Sequence, residues 1–122
     1  MAKILVVDDE PVTNRLLSLM LQRINHSVIT ANNGIEALSY LDKTHIDLMI
    51  TDINMPDMNG LTLLEELRAD QRHKNMPVIV LTAIGQEHMS QLAVQKGATN
   101  FLTRPISSWE LKEAVTHCLQ TA

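Results

Sequence analysis

Short apolar runs alternate along the whole chain with longer segments in which apolar residues recur every three or four positions. The first pattern is typical of strands buried in a parallel sheet, and the second of helices that cover such a sheet. The predicted strands occupy residues 3–7, 27–31, 46–51, 77–81 and 99–103. Because no repeat, low-complexity tract or Gly/Ser-rich linker interrupts the alternation, we expect one α/β domain over residues 1–122.

Helix-starting and helix-ending residues bound the segments between these strands. Pro11 is suited to the first turn of helix one. The apolar positions of that helix repeat at helical spacing: Leu16, Leu17, Met20, Leu21 and Ile24. Residues 33–36 and 107–110 each have the sequence of a capping box, and 60–68 reads as a third helix. Gly97 is suited to the left-handed position that ends a helix over residues 86–96.

Five βα units with right-handed crossovers make the strands parallel and place helices on both faces of the sheet. The prediction is therefore a doubly wound, five-stranded sheet whose ligand crevice lies at the carboxyl ends of the strands.

Composition narrows the classes of function. The formal net charge is −4, and the ten Lys and Arg residues are scattered, so no basic surface for nucleic acid or anionic lipid is predicted. No apolar run approaches the roughly 20 residues that span a bilayer, and no signal peptide is recognisable. The single cysteine, Cys118, excludes an internal disulfide framework. We expect a cytoplasmic protein.

The predicted crevice collects oxygen-rich and cationic side chains. Asp8 and Asp9 follow strand one, Asp52 follows strand three, Thr82 follows strand four and Arg104 follows strand five. Three carboxylates at one place repel each other, so one pKa rises or a cation is recruited. Mg2+ suits a few carboxylates together with phosphate oxygens. A carboxylate is also a nucleophile that can form an acyl phosphate.

Thr82 and Arg104 are the kinds of group that hold phosphoryl oxygens. Each of the five side chains also has an ordinary explanation as a helix cap, a turn residue or a surface charge. Their coincidence at one end of the sheet favours function.

Four motifs, in order and at matching spacings, resemble those of the receiver domains of bacterial two-component response regulators. They are LVVDDEP at 5–11, DINMPDMNG at 52–60, VIVLTA at 78–83 and GATNFLTRP at 97–105. The resemblance covers essentially the whole chain. It implies a flavodoxin-like fold with strand order 2-1-3-4-5.

The resemblance also implies roles for individual residues. Asp52 is expected to be the phosphoacceptor, and Asp8 and Asp9 are expected to hold Mg2+ with it. The backbone carbonyl of Asn54 is implied as a further metal ligand.

By the same resemblance, Thr82 is the switch hydroxyl and Phe101 the aromatic residue that turns inward with it. The expected phosphodonor is a sensor histidine kinase or a histidine phosphotransfer protein. Helix four, strand five and helix five form the expected surface for an unidentified target, with Gln91, Gln95 and Trp109 as contact candidates. A phosphorylation-dependent homodimer stays open. No metabolic turnover is expected.

The chain departs from the family pattern at one site residue, because Arg104 stands before Pro105 where lysine is usual. A planar guanidinium does not replace a compact ammonium conservatively. In the family that bond to proline is often cis, which leaves the isomer of the Arg104–Pro105 bond open. Ile84, two residues beyond Thr82, cannot hydrogen-bond a hydrolytic water, so a slowly hydrolysed acyl phosphate is expected.

Two other functions compete with this interpretation. A degenerate receiver would bind partners without accepting phosphate, although every acidic position is intact. A flavin-binding redox carrier of the same topology would need a phosphate-cradling loop of Gly, Ser or Thr after strand one. The chain has Asp8, Asp9 and Glu10 there, which would repel the flavin phosphate.

Overall fold

The computed structural model describes residues 1–55 and 58–121, and within them five strands alternate with five helices. The strands are β1 (Lys3–Val7), β2 (Ser27–Ala31), β3 (Leu48–Asp52), β4 (Val78–Thr82) and β5 (Asn100–Thr103). The helices are α1 (Pro11–Gln22), α2 (Gly34–Lys43), α3 (Gly60–Ala69), α4 (Glu87–Gln95) and α5 (Ser108–Thr121).

All four strand pairings are parallel, and the order across the sheet is β2-β1-β3-β4-β5. The predicted fold and strand order are confirmed. The order puts β1 beside β3 at the centre of the sheet and β4 beside β3. The loops that leave the carboxyl ends of these three strands therefore share one edge.

Two apolar layers cover the two faces of the sheet. Residues of α2, α3 and α4 pack on one face, against Leu5 and Val7 of β1. Residues of α1 and α5 pack on the other, against Ile4 and Val6. Successive residues of a strand point to opposite faces, so an unbroken apolar run such as β1 serves both layers. A fully buried leucine, isoleucine or valine contributes roughly 1.5–3 kcal/mol, so these layers fix the position of the strand ends.

The predicted helix signals are present. The Asn33 side chain accepts a hydrogen bond from the Glu36 amide at 2.7 Å. The Ser107 hydroxyl accepts one from the Glu110 amide at 3.0 Å, and Glu110 returns one to the Ser107 amide at 3.3 Å. Gly97 follows α4 with a φ of 109°, the left-handed conformation expected there.

Some predicted boundaries were wrong. β3 begins at Leu48 instead of residue 46, and both β3 and β4 extend one residue beyond their apolar runs. The reason is pairing: Asp52 lies opposite Leu81, and Thr82 lies opposite Thr103, so the ladder continues through polar residues. The two polar side chains are therefore the last residues of strands, where backbone pairing fixes them more firmly than a loop would.

The predicted apolar stripe of α1 was also partly wrong. Leu17 and Leu21 are buried, but Leu16 is 51% exposed and Ile24 lies beyond the end of the helix. The face of α1 that meets the sheet carries Asn14 in line with Leu17 and Leu21. The predicted apolar stripe did not include Asn14, which is polar but buried on this face.

Candidate functional site

Asp8 is the most deeply placed acid of the crevice. It follows β1 and is completely buried. Its Oδ1 accepts a hydrogen bond from the Glu10 amide at 2.9 Å, and its Oδ2 accepts one from Arg104 Nη2 at 2.7 Å. Each oxygen of this buried carboxylate therefore has a donor, as a buried charge requires.

Asp8, Asp9 and Asp52 form one cluster of carboxylates. Each contributes an oxygen that lies within 4.8 Å of the oxygens from the other two. Asp9 is exposed, whereas the Asp52 side chain retains 15% of its accessible surface. Burial raises the pKa of Asp52, the charge of Asp8 raises it further, and Arg104 opposes both. The sequence prediction that these acids converge is confirmed by their geometry.

The donor set fits a hard divalent cation. Opposite ligands of an octahedral Mg2+ lie roughly 4 Å apart, so oxygens spread over 4.8 Å need only a small adjustment to share one ion. All three donors are carboxylates, the ligand type that Mg2+ prefers.

Arg104 reaches the same cluster from the end of β5. Its Nη2 lies 2.7 Å from Asp8 Oδ2 and 3.7 Å from Asp52 Oδ2. The backbone amide of Arg104 donates to the Thr82 carbonyl at 2.8 Å, which anchors the segment to β4. The Arg104–Pro105 peptide bond is cis. The Arg104 side chain therefore lies in the crevice that the sequence predicted for it, and its pairing with phosphoryl oxygens stays a prediction.

Thr82 ends β4 and is 1% exposed. Its hydroxyl accepts a hydrogen bond from Ser90 Oγ at 3.2 Å and lies 3.3 Å from the Thr103 hydroxyl. Sequence reasoning missed both partners. Phe101, the predicted aromatic partner of the switch, is 39% exposed.

The described residues from the end of β3 to the start of α3 include two that lie near Asp52 or its neighbour Ile53. The Asn54 amide lies 3.4 Å from Asp52 Oδ1, and the Gly60 amide donates to the Ile53 carbonyl at 2.8 Å. Pro56 and Asp57 of the predicted phosphoacceptor motif lie outside the described residues.

Asn14 is a second residue that sequence reasoning missed. It is 5% exposed, and its Nδ2 donates to the Asp8 carbonyl at 2.8 Å and to the Ala31 carbonyl at 3.3 Å. It thereby joins the ends of β1 and β2 beneath the acidic cluster. The signal was its helical spacing to Leu17 and Leu21, which places a polar side chain on the buried face of α1.

Comparison with known proteins agrees with this geometry. The family model described as the response regulator receiver domain matches residues 4–116. The chain belongs to this family. A chemotaxis protein CheY homolog of Campylobacter jejuni is 36% identical over 121 residues, which cover 98% of this chain and 93% of that protein.

Two further relatives show the range of proteins that carry such a domain. The transcriptional regulatory protein GlrR of Escherichia coli is 39% identical over 98% of this chain, which corresponds to 26% of GlrR. The structure of chemotaxis response regulator CheY4 of Vibrio cholerae superimposes with a TM-score of 0.91 at 33% identity, covering 98% of this chain and 99% of that one.

Receiver domains are signalling modules and not metabolic enzymes. They bind Mg2+ at a cluster of aspartates, which in this receiver is Asp8, Asp9 and Asp52. They interact with histidine kinases or phosphotransfer proteins. No helix within the described part of this receiver is both long and apolar enough to cross a membrane.

Membership of the family removes the flavin carrier from consideration, and the acidic loop after β1 agrees with that exclusion. The only basis for a degenerate receiver was arginine in place of the usual lysine at position 104. That support weakens because Arg104 contacts Asp8 and Asp52, so the cation is present in the acidic cluster.

Proposed function

We propose that this receiver accepts a phosphoryl group on the carboxylate of Asp52, with Mg2+ held by Asp8, Asp9, Asp52 and the backbone carbonyl of Asn54. The observation that supports the proposal most strongly is the convergence of three carboxylates and one guanidinium at the ends of β1, β3 and β5. A cluster of like charges has little value for stability, but it provides a nucleophile and ligands for a cation.

In the proposed reaction, an oxygen of Asp52 attacks the phosphorus of a phosphohistidine on a sensor kinase or phosphotransfer protein. The new O–P bond forms as the P–N bond breaks, and the imidazole nitrogen keeps the electron pair while the ring gains a proton from solvent. Bound Mg2+ would neutralise the negative charge that the acids and the phosphoryl oxygens bring together. Arg104 lies close enough to Asp52 to donate hydrogen bonds to those oxygens.

The proposed switch begins at Thr82. Its hydroxyl turns toward the phosphoryl group, Phe101 turns inward, and the surface formed by α4, β5 and α5 changes its packing. Gln91, Gln95 and Trp109 are exposed on this surface and are available to a downstream target. A cytoplasmic location and a phosphorylation-dependent homodimer stay predictions, and no direct contact with nucleic acid is proposed.

Intact mass after incubation with Mg2+ and acetyl phosphate tests the proposal. Wild type should gain the mass of one phosphoryl group, and Asp52→Ala should gain none. Asp47→Asn is the matched control, because it alters an acid just before the other end of the same strand. A wild-type chain that gains no mass would contradict the proposal and favour the degenerate receiver.

The role of Arg104 needs its own variants. Arg104→Ala should slow phosphorylation about tenfold, the loss expected for one hydrogen bond to a charged group. Arg104→Lys should recover part of the rate, because it restores the charge but not the fork of donors. Wild-type rate and conformational response in Arg104→Ala would rule out contact between Arg104 and the phosphoryl oxygens.

A further inference from the structure

The Thr82 hydroxyl contacts two neighbours that are not part of the acidic cluster. Ser90 of α4 donates to it at 3.2 Å, and Thr103 of β5 lies 3.3 Å from it. Ser90 and Thr82 are 2% and 1% exposed, so water does not readily replace this contact. Within the described part of the chain, Thr82 makes no side-chain hydrogen bond to an acid of the cluster or to Arg104.

Ser90 uses its hydroxyl in an unusual way for a serine inside a helix. Such a serine ordinarily bonds the carbonyl four residues earlier. Ser18 of α1 does so, donating to the Asn14 carbonyl at 2.7 Å. Ser90 instead reaches out of α4 to the end of β4.

We propose that Ser90 and Thr103 are positioning residues that hold the Thr82 hydroxyl in its resting orientation and so set the balance between the resting and activated states. The proposal rests on the proposed function of Asp52. A threonine side chain changes direction by moving between a few staggered χ1 positions. Thr103 lies on β5, across β4 from the strand that carries Asp52. In the proposed switch, turning Oγ1 toward a phosphoryl group on Asp52 takes it away from Ser90 and Thr103, so the two arrangements exclude each other.

This exclusivity links three elements physically. Activation breaks one hydrogen bond to α4 and one contact to β5, so both elements lose a restraint at the moment Thr82 turns. A phosphoryl group populates the activated state more easily when the resting state has lost a stabilising contact. Removal of the Ser90 hydroxyl should therefore favour activation.

Beryllium fluoride with Mg2+ is the probe, because it occupies the phosphoryl position without a covalent step. Ser90→Ala should bind it about threefold to tenfold more tightly than wild type, the range expected for one net hydrogen bond. In Mg2+ alone, the amide resonances of α4 and β5 in Ser90→Ala should also shift toward their positions in the beryllium fluoride complex of wild type. A purely structural role would not produce that directed shift.

Thr103→Val is the second variant. Valine keeps the shape of the threonine side chain and removes its hydroxyl. The variant should bind beryllium fluoride more tightly than wild type, but by less than Ser90→Ala, because Thr103 is exposed and water can replace its contact. Ser18→Ala is the matched control, because it removes a helical serine hydroxyl that does not contact Thr82. It should leave affinity and resonances at wild-type values.

Unchanged or weaker binding by a folded Ser90→Ala variant would overturn the proposal. If Ser90→Ala does not fold, unchanged binding by Thr103→Val would overturn it instead. Failure of wild type to bind beryllium fluoride or to gain mass from acetyl phosphate would contradict the function proposed for Asp52. Wild-type binding together with unaltered variants would contradict only the positioning role.

Discussion

Gly60, the first residue of α3, lies against the last residue of β3 so closely that a side chain cannot fit. A Cβ at this position would lie 2.3 Å from the Asp52 carbonyl oxygen and 2.9 Å from the Ile53 Cα. Both are backbone atoms, so no rotamer change relieves the overlap. We therefore expect Gly60→Ala to displace the backbone that carries Asp52.

The size of the effect follows from two opposed contributions. Forcing a methyl group into a packed site costs roughly 1–3 kcal/mol, and alanine regains up to about 1 kcal/mol of helix propensity. A net loss of about 1–2 kcal/mol lowers the Tm of a domain of this size by roughly 4–8 °C. Phosphorylation should slow by about tenfold or more, because sub-ångström displacement of a nucleophile is costly.

Thermal unfolding and the rate of mass gain from acetyl phosphate measure the two effects. Gly34→Ala is the matched control, since Gly34 is likewise the first residue of a helix, and the three atoms nearest to its Cβ would all belong to the Met58 side chain, at 3.0 Å. A flexible methionine can move, so the Tm should stay within about 2 °C of wild type and the rate should not change. Wild-type Tm and rate in Gly60→Ala would refute the reasoning.

Three further predictions concern single side chains. Without Mg2+, Asp52→Asn should raise the free energy of unfolding by about 1 kcal/mol, because it removes a partly buried charge beside Asp8. Thermal melts with added Mg2+ should show a smaller difference between the variant and wild type, because Mg2+ binding stabilises wild type. The hydrogen bond from the Lys3 amide is the main cause that lowers the pKa of Asp47 below its ordinary value of 3.8. The ionised carboxylate therefore stabilises the fold above pH 3.8, and this stabilisation is lost as the pH falls through the lower pKa of the folded state. Urea titrations should therefore show wild type and Asp47→Asn converging in acid, and a constant difference would contradict this. Ile84→Glu should shorten the lifetime of the phosphorylated form, followed by mass after the donor is removed, whereas an unchanged lifetime would count against a role for that position.

The alternation of strand and helix patterns predicted the doubly wound sheet, and the resemblance to receiver domains implied its strand order. The acidic cluster could be predicted because parallel strands end at a common edge. Asp8, Asp9, Asp52 and Arg104 follow or end such strands, so topology alone brings them together. Local signals also fixed the ends of the helices, as at Asn33 and Gly97.

The contacts that sequence reasoning missed are those that local pattern does not encode. Ser90 looks like an ordinary helical serine until the packing of α4 on β4 points it at Thr82. Helical spacing could place Asn14 on the buried face of α1, but it does not show that the side chain donates to the Asp8 and Ala31 carbonyls. The need for glycine at position 60 depends on how closely the start of α3 approaches the backbone of Asp52 and Ile53. Each requires a distance between elements, which periodicity does not supply.

Arginine in place of the usual lysine changes how the resting site is neutralised. The guanidinium contacts Asp8 at 2.7 Å while staying 3.7 Å from Asp52, so one cation is shared between two acids. Both contacts are made by the same nitrogen, Nη2, so the other guanidinium nitrogens are additional donors that a compact ammonium does not have. Because Arg104 donates to Asp8 Oδ2, a cation that takes this oxygen as a ligand would compete with Arg104 and weaken its hold on Asp8. Binding of a cation to the acidic cluster should therefore favour contact between Arg104 and phosphoryl oxygens. By thermodynamic linkage, that contact should in turn strengthen cation binding.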